Sequence, residues 1–274
     1  MPNLIDLKTQ HHDFKMPGIQ FSVSGRNISA EMNIITYLKI FYMYIDVRSI
    51  ESVFGSTVVP SRLYGGRKFK PEHSFTDKHI QQLTEQKIGL ALTLTNHFFD
   101  DAGYEESLPL LEKHHKFGNS IICTNNELAK RIRKDFPDYS LKASIIKEVD
   151  THEKIEECLE IYDYLTLPMD KNDDDDFLEK IPEKERVILF ANSNCAYTCP
   201  DRTCYKGFSD KNTGQRISSV CSKGRIPRLD VGEVYFDVRK LKRMGFGLFK
   251  LVPLAPVLAP AIVEHYSRES LEYV

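Results

Sequence analysis

Three cysteines within ten residues, Cys195, Cys199 and Cys204, are followed after a polar, glycine-containing loop by Cys221, giving the spacing C-x3-C-x4-C-x16-C. Thiolates are ligands for soft metals, and four of them complete the coordination of one ion or one cluster. A structural zinc ordinarily takes two C-x2–4-C knuckles separated by a loop, whereas an iron–sulfur cluster accepts a triplet with a distant fourth thiol. A radical-SAM triplet, C-x3-C-x2-C, has a different second gap. Zinc and an iron–sulfur cluster both stay open on spacing alone. Cys123 and Cys158 fall inside a predicted strand and a predicted helix and read as small hydrophobes.

Other side chains with chemical potential are scattered more widely. Arg67 follows Gly65-Gly66 in a long Gly-, Pro- and Ser-containing loop between Gly55 and Pro71, where a guanidinium suits a carboxylate or phosphate. The acidic run Asp173–Asp176 lacks the alternating ligands and glycine of a calcium loop, and is expected to be a solvated loop opening a helix. His11 and His12 read as a solvated pair. No P-loop, nucleophile elbow or internal repeat is present.

The elements that must position these groups follow from periodicity. A strand is predicted over Ile19–Ser24, a helix over residues 30–39 capped by Ser29, and a buried aromatic run over Ile40–Ile45. A regular alternation then sets in. Helices are predicted at Thr76–Gln86, Glu105–Lys116, Glu127–Phe136 and His152–Glu160, and strands at Ile88–Leu94, Ser120–Cys123, Leu141–Ser144, Tyr162–Leu167 and Arg186–Ala191. Glu233–Phe236 and Gly247–Leu251 complete about eight strands. This rhythm predicts βαβ units and an α/β fold, a (β/α)8 TIM-like barrel, with a doubly wound sheet as the alternative. The chain is expected to form one domain, 1–274, with a cysteine-rich segment, 192–224, inserted after the sixth strand. In a barrel, residues just past the strands gather at one mouth, here Arg26-Asn27, Asn96-His97, Asn125-Asn126, Ser144, Pro168 and Asn192 to Cys195.

Composition sets the boundaries. The chain has 274 residues, 41% of them hydrophobic, and a formal net charge of -2, which suits an ordinary globular core and argues against a protein that lives on nucleic-acid phosphates. The start, Met1 to Asp6, lacks the basic and apolar regions of a secretory signal, so a reducing, cytoplasmic setting is expected. The apolar stretch Phe246–Val263 carries Lys250 and three prolines, which predicts a buried strand, a loop and a helix rather than a membrane span.

The strand Val187–Asn192 running into Cys195 and Cys199-Pro200, the last cysteine Cys221, and the segment Asp237 to Lys250 with its glycine turn and Phe249-Lys250 ending together resemble the peptidase U32 family of barrel proteins. Ile121 to Asn125, followed by Glu127-Leu128-Ala129, is similar to a strand and helix of that family. Where the family continues Lys-Ile-Glu-Gly-Arg, this sequence reads Lys250-Leu251-Val252-Pro253-Leu254. The resemblance implies a barrel in which Cys195, Cys199, Cys204 and Cys221 ligate a [4Fe-4S] cluster, and it implies oxygen-independent hydroxylation of a small ring or an RNA-borne base.

On that reading Asn96, His97 and Asn125 are the candidate catalytic residues, His97 as acid/base, and Arg67, Asn192 and Lys250 are the candidate substrate contacts. Peptide hydrolysis is the alternative activity, but the sequence shows no H-E-x-x-H and no Ser/His/Asp set at suggestive spacing, and four thiolates would close a zinc to catalysis. A non-catalytic subunit, docking a protein partner through the tail Tyr266–Val274, is the third reading.

Overall fold

Short apolar runs separated by capped amphipathic helices build the chain into a barrel. The computed structural model describes residues 18–25, 28–43, 45–65, 69–193, 195–199, 201–214 and 235–252. In chain order the elements are β1 (Gln20–Ser24), α1 (Ile34–Phe41), β2 (Ile50–Gly55), α2 (Asp77–Glu85), β3 (Gly89–Leu94), α3 (Asp101–His114), β4 (Ser120–Cys123) and α4 (Asn126–Asp135). They continue with β5 (Ser140–Ala143), α5 (His152–Leu159), β6 (Tyr164–Thr166), α6 (Asp175–Glu179), β7 (Val187–Phe190), α7 (Cys204–Asn212), α8 (Val238–Arg243) and β8 (Leu248–Leu251). The strands close in sequence order, β1 pairing with both β2 and β8, and every barrel pairing is parallel. This is the (β/α)8 TIM-like barrel expected from the alternation, not a doubly wound sheet.

Side-chain caps fix where the helices begin. Asn33, Thr76, Asp100, Asn125, Thr151, Asp174 and Asp237 each accept backbone N–H bonds at the first turn of the helix that follows. These caps account for two boundary corrections. The first helix starts at Ile34 behind Asn33 rather than behind Ser29, and α3 starts at Asp101, before the expected Glu105, because Asp100 bonds the Gly103 N–H at 2.6 Å. The aromatic run Ile40–Ile45 begins within the last turn of α1 and is buried only in part, since Tyr42 is enclosed while Ile40 and Met43 are exposed.

The strand count was right for a partly wrong reason. Ile50–Gly55 is a barrel strand that the sequence pattern had not disclosed. Of the expected strand Glu233–Phe236, Tyr235 and Phe236 are described, and Tyr235 makes an isolated antiparallel bridge to Asn192 instead of joining the barrel. The cysteine segment therefore follows the seventh strand, not the sixth. β8 supplies the strand expected near Phe246, and the rest of that apolar stretch, from Pro253, lies outside the described residues.

The main core lies between strands and helices, with Leu90, Leu92, Ile121, Leu141 and Leu189 facing outward to the helices. Phe54, Ala91 and Ile122 form a separate apolar cluster on the inner face. The barrel floor is polar. Phe21 pairs with Ile50 and Ser22 with Ser52, which leaves Glu51 as the extra residue of a bulge. The bulge turns the Glu51 carboxylate onto the Lys142 Nζ, 2.8 Å from each oxygen, while Lys142 Nζ also donates to Ser52 Oγ at 3.4 Å. This pair borders a cavity of about 40 Å³ at the N-terminal ends of the strands. Among the described residues no helix is long and apolar enough to cross a membrane.

Candidate functional site

Because every strand is parallel, the C-terminal ends open on one side, and the chain leaving β7 crosses that mouth. It is anchored at its start by Asn192, which is fully buried. The Asn192 Nδ2 donates to the Val252 carbonyl and its Oδ1 accepts the Val252 N–H, both at 3.0 Å, so one side chain ties the ends of β7 and β8 like a short piece of sheet. Further along, Tyr197 donates its hydroxyl to Asp173 at 2.7 Å and packs edge-on against Phe236. The Arg202 Nη1 donates to Glu148 at 3.2 Å, its Nη2 donates to Asp170, and its Nε donates to the Ala196 carbonyl at 3.3 Å.

Cys204 then opens α7, and that helix fastens the far side of the mouth. Ser209 lies 3.1 Å from the His97 main-chain nitrogen and 3.0 Å from its Nδ1, and Asn212 donates to the Tyr64 carbonyl at 3.0 Å. The cysteine-bearing segment is thus held by residues following β2, β3, β5, β6 and β8.

The thiols divide as their surroundings dictate. Cys199 is nearly enclosed, and Cys195 and Cys204 are half-buried. Tyr205 stands within electrostatic range of both Cys204 and Cys195; its hydroxyl pKa is raised first by burial and further by these two thiols, against the opposing pull of Arg202. Cys123 is fully buried in β4, and burial pushes its thiol well up. Burial also pushes Cys158 up, to about 11. Both remain protonated hydrophobes, as their positions in the sequence suggest. Among the described residues no three His, Cys, Asp or Glu side chains converge into a ready metal site. Cys221 and Arg67 lie outside the described residues. Three thiols on one anchored segment are suitable donors for an iron–sulfur cluster or zinc.

The remaining candidates lie at the mouth, with their polar atoms committed to specific partners. Asn96 is fully buried, donates Nδ2 to the Arg62 carbonyl at 2.7 Å and accepts the Phe98 N–H. Gly65, in the same loop, lies so close to the end of β3 that an added Cβ would meet backbone atoms of Thr95 and Asn96 at 2.4 Å. Asn125 caps α4 with its Oδ1 and donates Nδ2 to the His97 carbonyl at 3.3 Å. The His97 pKa is lowered by burial and by Lys206, against the opposing pull of Asp210, Glu148 and the Ile146 carbonyl that faces the ring. Lys250 is buried, with its Nζ 4.3 Å from the centre of the Phe54 ring on the inner face of the barrel.

Asn96, Asn125 and Asn192 therefore position main chain around the mouth, while His97 and Lys250 bring a neutral imidazole and a cation to it. Sequence reasoning missed Arg202, Glu148, Asp170 and Ser209. The acidic run supplied the only hint: it is a solvated loop with Asp174 capping α6 as expected, and the exposed Asp173 and the preceding Asp170 also accept hydrogen bonds from the cysteine segment.

Fold and site together define a TIM-like barrel with a thiol-bearing strap across its C-terminal mouth. The structure is similar to that of the U32 peptidase Mk0906, with a TM-score of 0.57 and 12% sequence identity over 86% of this chain and 93% of that one. The likeness is one of fold, a barrel of the same build along nearly the whole of both chains. No protein-family model matches the sequence, and no curated protein matches it.

Proposed function

We propose that this chain is a U32-like iron–sulfur protein in which Cys195, Cys199, Cys204 and Cys221 hold a [4Fe-4S] cluster over the barrel mouth, and that it carries out oxygen-independent hydroxylation or a related redox step on a small ring or a modified base of RNA. The observation that carries this reading is the strap itself: three thiols on one segment, fixed to loops on several sides of the mouth by Arg202, Tyr197 and Ser209. When bound, the cluster supplies electron transfer that amino-acid side chains lack.

The chain's own residues bind and orient. Lys250 and the Phe54 ring form a cationic, aromatic patch at the inner face, suited to a planar substrate carrying an anionic group. Arg67 is assigned a second contact to such a group. Asn96 and Asn125 hold the rim, with Asn125 bonding the main chain of the residue that presents the His97 ring to the mouth.

Peptide hydrolysis is the weaker reading. The site contains a Ser–His pair, Ser209 and His97, but Ser209 is fully buried within α7 and its Oγ already accepts the His97 main-chain N–H, so it is not available to attack a carbonyl. Retention of iron by Cys199→Ser and Cys158→Ser variants, purified without oxygen, tests the ligand assignment. Loss of iron in the first with full retention in the second is the expected result; equal iron in both would refute it. Zinc in place of iron would make the cysteines a structural clasp.

A further inference from the structure

Arg202 sits between Cys199 and Cys204 with φ +44°, and its partner Glu148 has φ +54°. Both are non-glycine residues in the left-handed region, a conformation retained only where the surroundings enforce it. The Arg202 side chain is 15% exposed, and its three nitrogens reach three places: Glu148 in the loop after β5, Asp170 in the loop after β6, and the Ala196 carbonyl within the cysteine turn itself. A guanidinium forks to several acceptors at fixed angles, which an ammonium cannot do.

We propose that Arg202 is the positioning residue of the cysteine strap: it closes the Cys195–Cys204 turn onto itself through Ala196 and locks that turn to two barrel loops, so that the thiols are presented at the mouth before any metal arrives. The purpose of that presentation rests on the cluster reading. The clasp itself does not, and it is present in the protein part alone. Glu148 and Asp170, 54 and 32 residues away in sequence, are then parts of the same device.

The test uses the full chain freed of metal, with each cysteine alkylated by iodoacetamide and followed by mass spectrometry. In Arg202→Lys and in Glu148→Gln, Cys199 is expected to label about tenfold faster than in the parent, while Cys123 and Cys158 keep their slow rates. The double variant is expected to label Cys199 no faster than the more affected single variant, because both substitutions remove one shared interaction. Unchanged labelling of Cys199 would overturn the proposal, as would a parallel rise at Cys123 and Cys158, which would mean general loosening of the barrel. Iron content of each protein is measured separately. A parent chain that binds no iron yet shows clasp-dependent protection of Cys199 would defeat the cluster reading and support the clasp.

Discussion

Ser209 and His97, 112 residues apart in sequence, are joined twice, through the His97 main-chain nitrogen and through its Nδ1. The Ser209 Oγ accepts the main-chain N–H and also lies within hydrogen-bonding distance of Nδ1, while the Ile146 carbonyl bonds the ring. Burial, with Lys206, lowers the His97 pKa and favours the neutral imidazole, against Asp210, the Ile146 carbonyl and Glu148, which favour the charged ring. Ser209→Ala removes the partner of both His97 groups in a buried setting, and is expected to cost about 1–3 kcal/mol. Urea unfolding of the two proteins measures this, and equal midpoints would show the link to be without energetic weight.

Acid sensitivity follows from the same chemistry. His79, His97 and His114 all have pKa values lowered from 6.5, with burial the first cause in each. His79 accepts the Thr76 N–H at Nδ1 and faces the Met32 carbonyl with Nε2, so protonation would cost it a bond. His114 lies beside Lys113, and its buried Nε2 has no partner. Below pH about 6.5 the unfolded chain takes up protons at these positions that the folded chain resists, so folding stability should fall as pH falls through that value. Denaturant midpoints at pH 7.5 and pH 5.5 decide the sign. A higher stability at the lower pH would contradict the assignment of neutral histidines.

Asn192→Ala should cost about 2–4 kcal/mol, because the Val252 N–H and carbonyl both lose a buried partner. Asn192→Asp should not restore stability, since an oxygen would then confront the Val252 carbonyl where the amide nitrogen now donates. Thermal melts of the three proteins check both statements.

The floor of the barrel offers a test of pairing. Glu51→Ala leaves the Lys142 ammonium, 4% exposed, without its counter-ion and should cost about 3 kcal/mol. Joint replacement, Glu51→Leu with Lys142→Met, should cost clearly less than the single change, because no buried charge is then left alone. Urea titrations of single and double variants measure the difference.

The barrel was legible because its strands are short apolar runs between well-capped helices, as at Ser120–Cys123 followed by the Asn125 cap. β2 escaped because the extra residue Glu51 breaks the two-residue alternation that identifies a strand. Tyr235 misled for the opposite reason: its neighbourhood has strand character, but it forms one bridge only. At the site, the cysteines identified themselves by type and spacing. The clasp from Arg202 to Glu148 and Asp170 did not, because its members share no local pattern and meet only when the barrel closes.

Metal and sulfide analysis of the chain purified without oxygen, together with its visible spectrum, tests the central claim most directly. The account predicts about four iron and about four sulfide per chain, with a broad thiolate-to-iron band near about 400 nm that disappears in Cys199→Ser. A colourless chain holding about one zinc would contradict it, leaving the cysteines as a structural clasp and the mouth around Lys250 without redox chemistry.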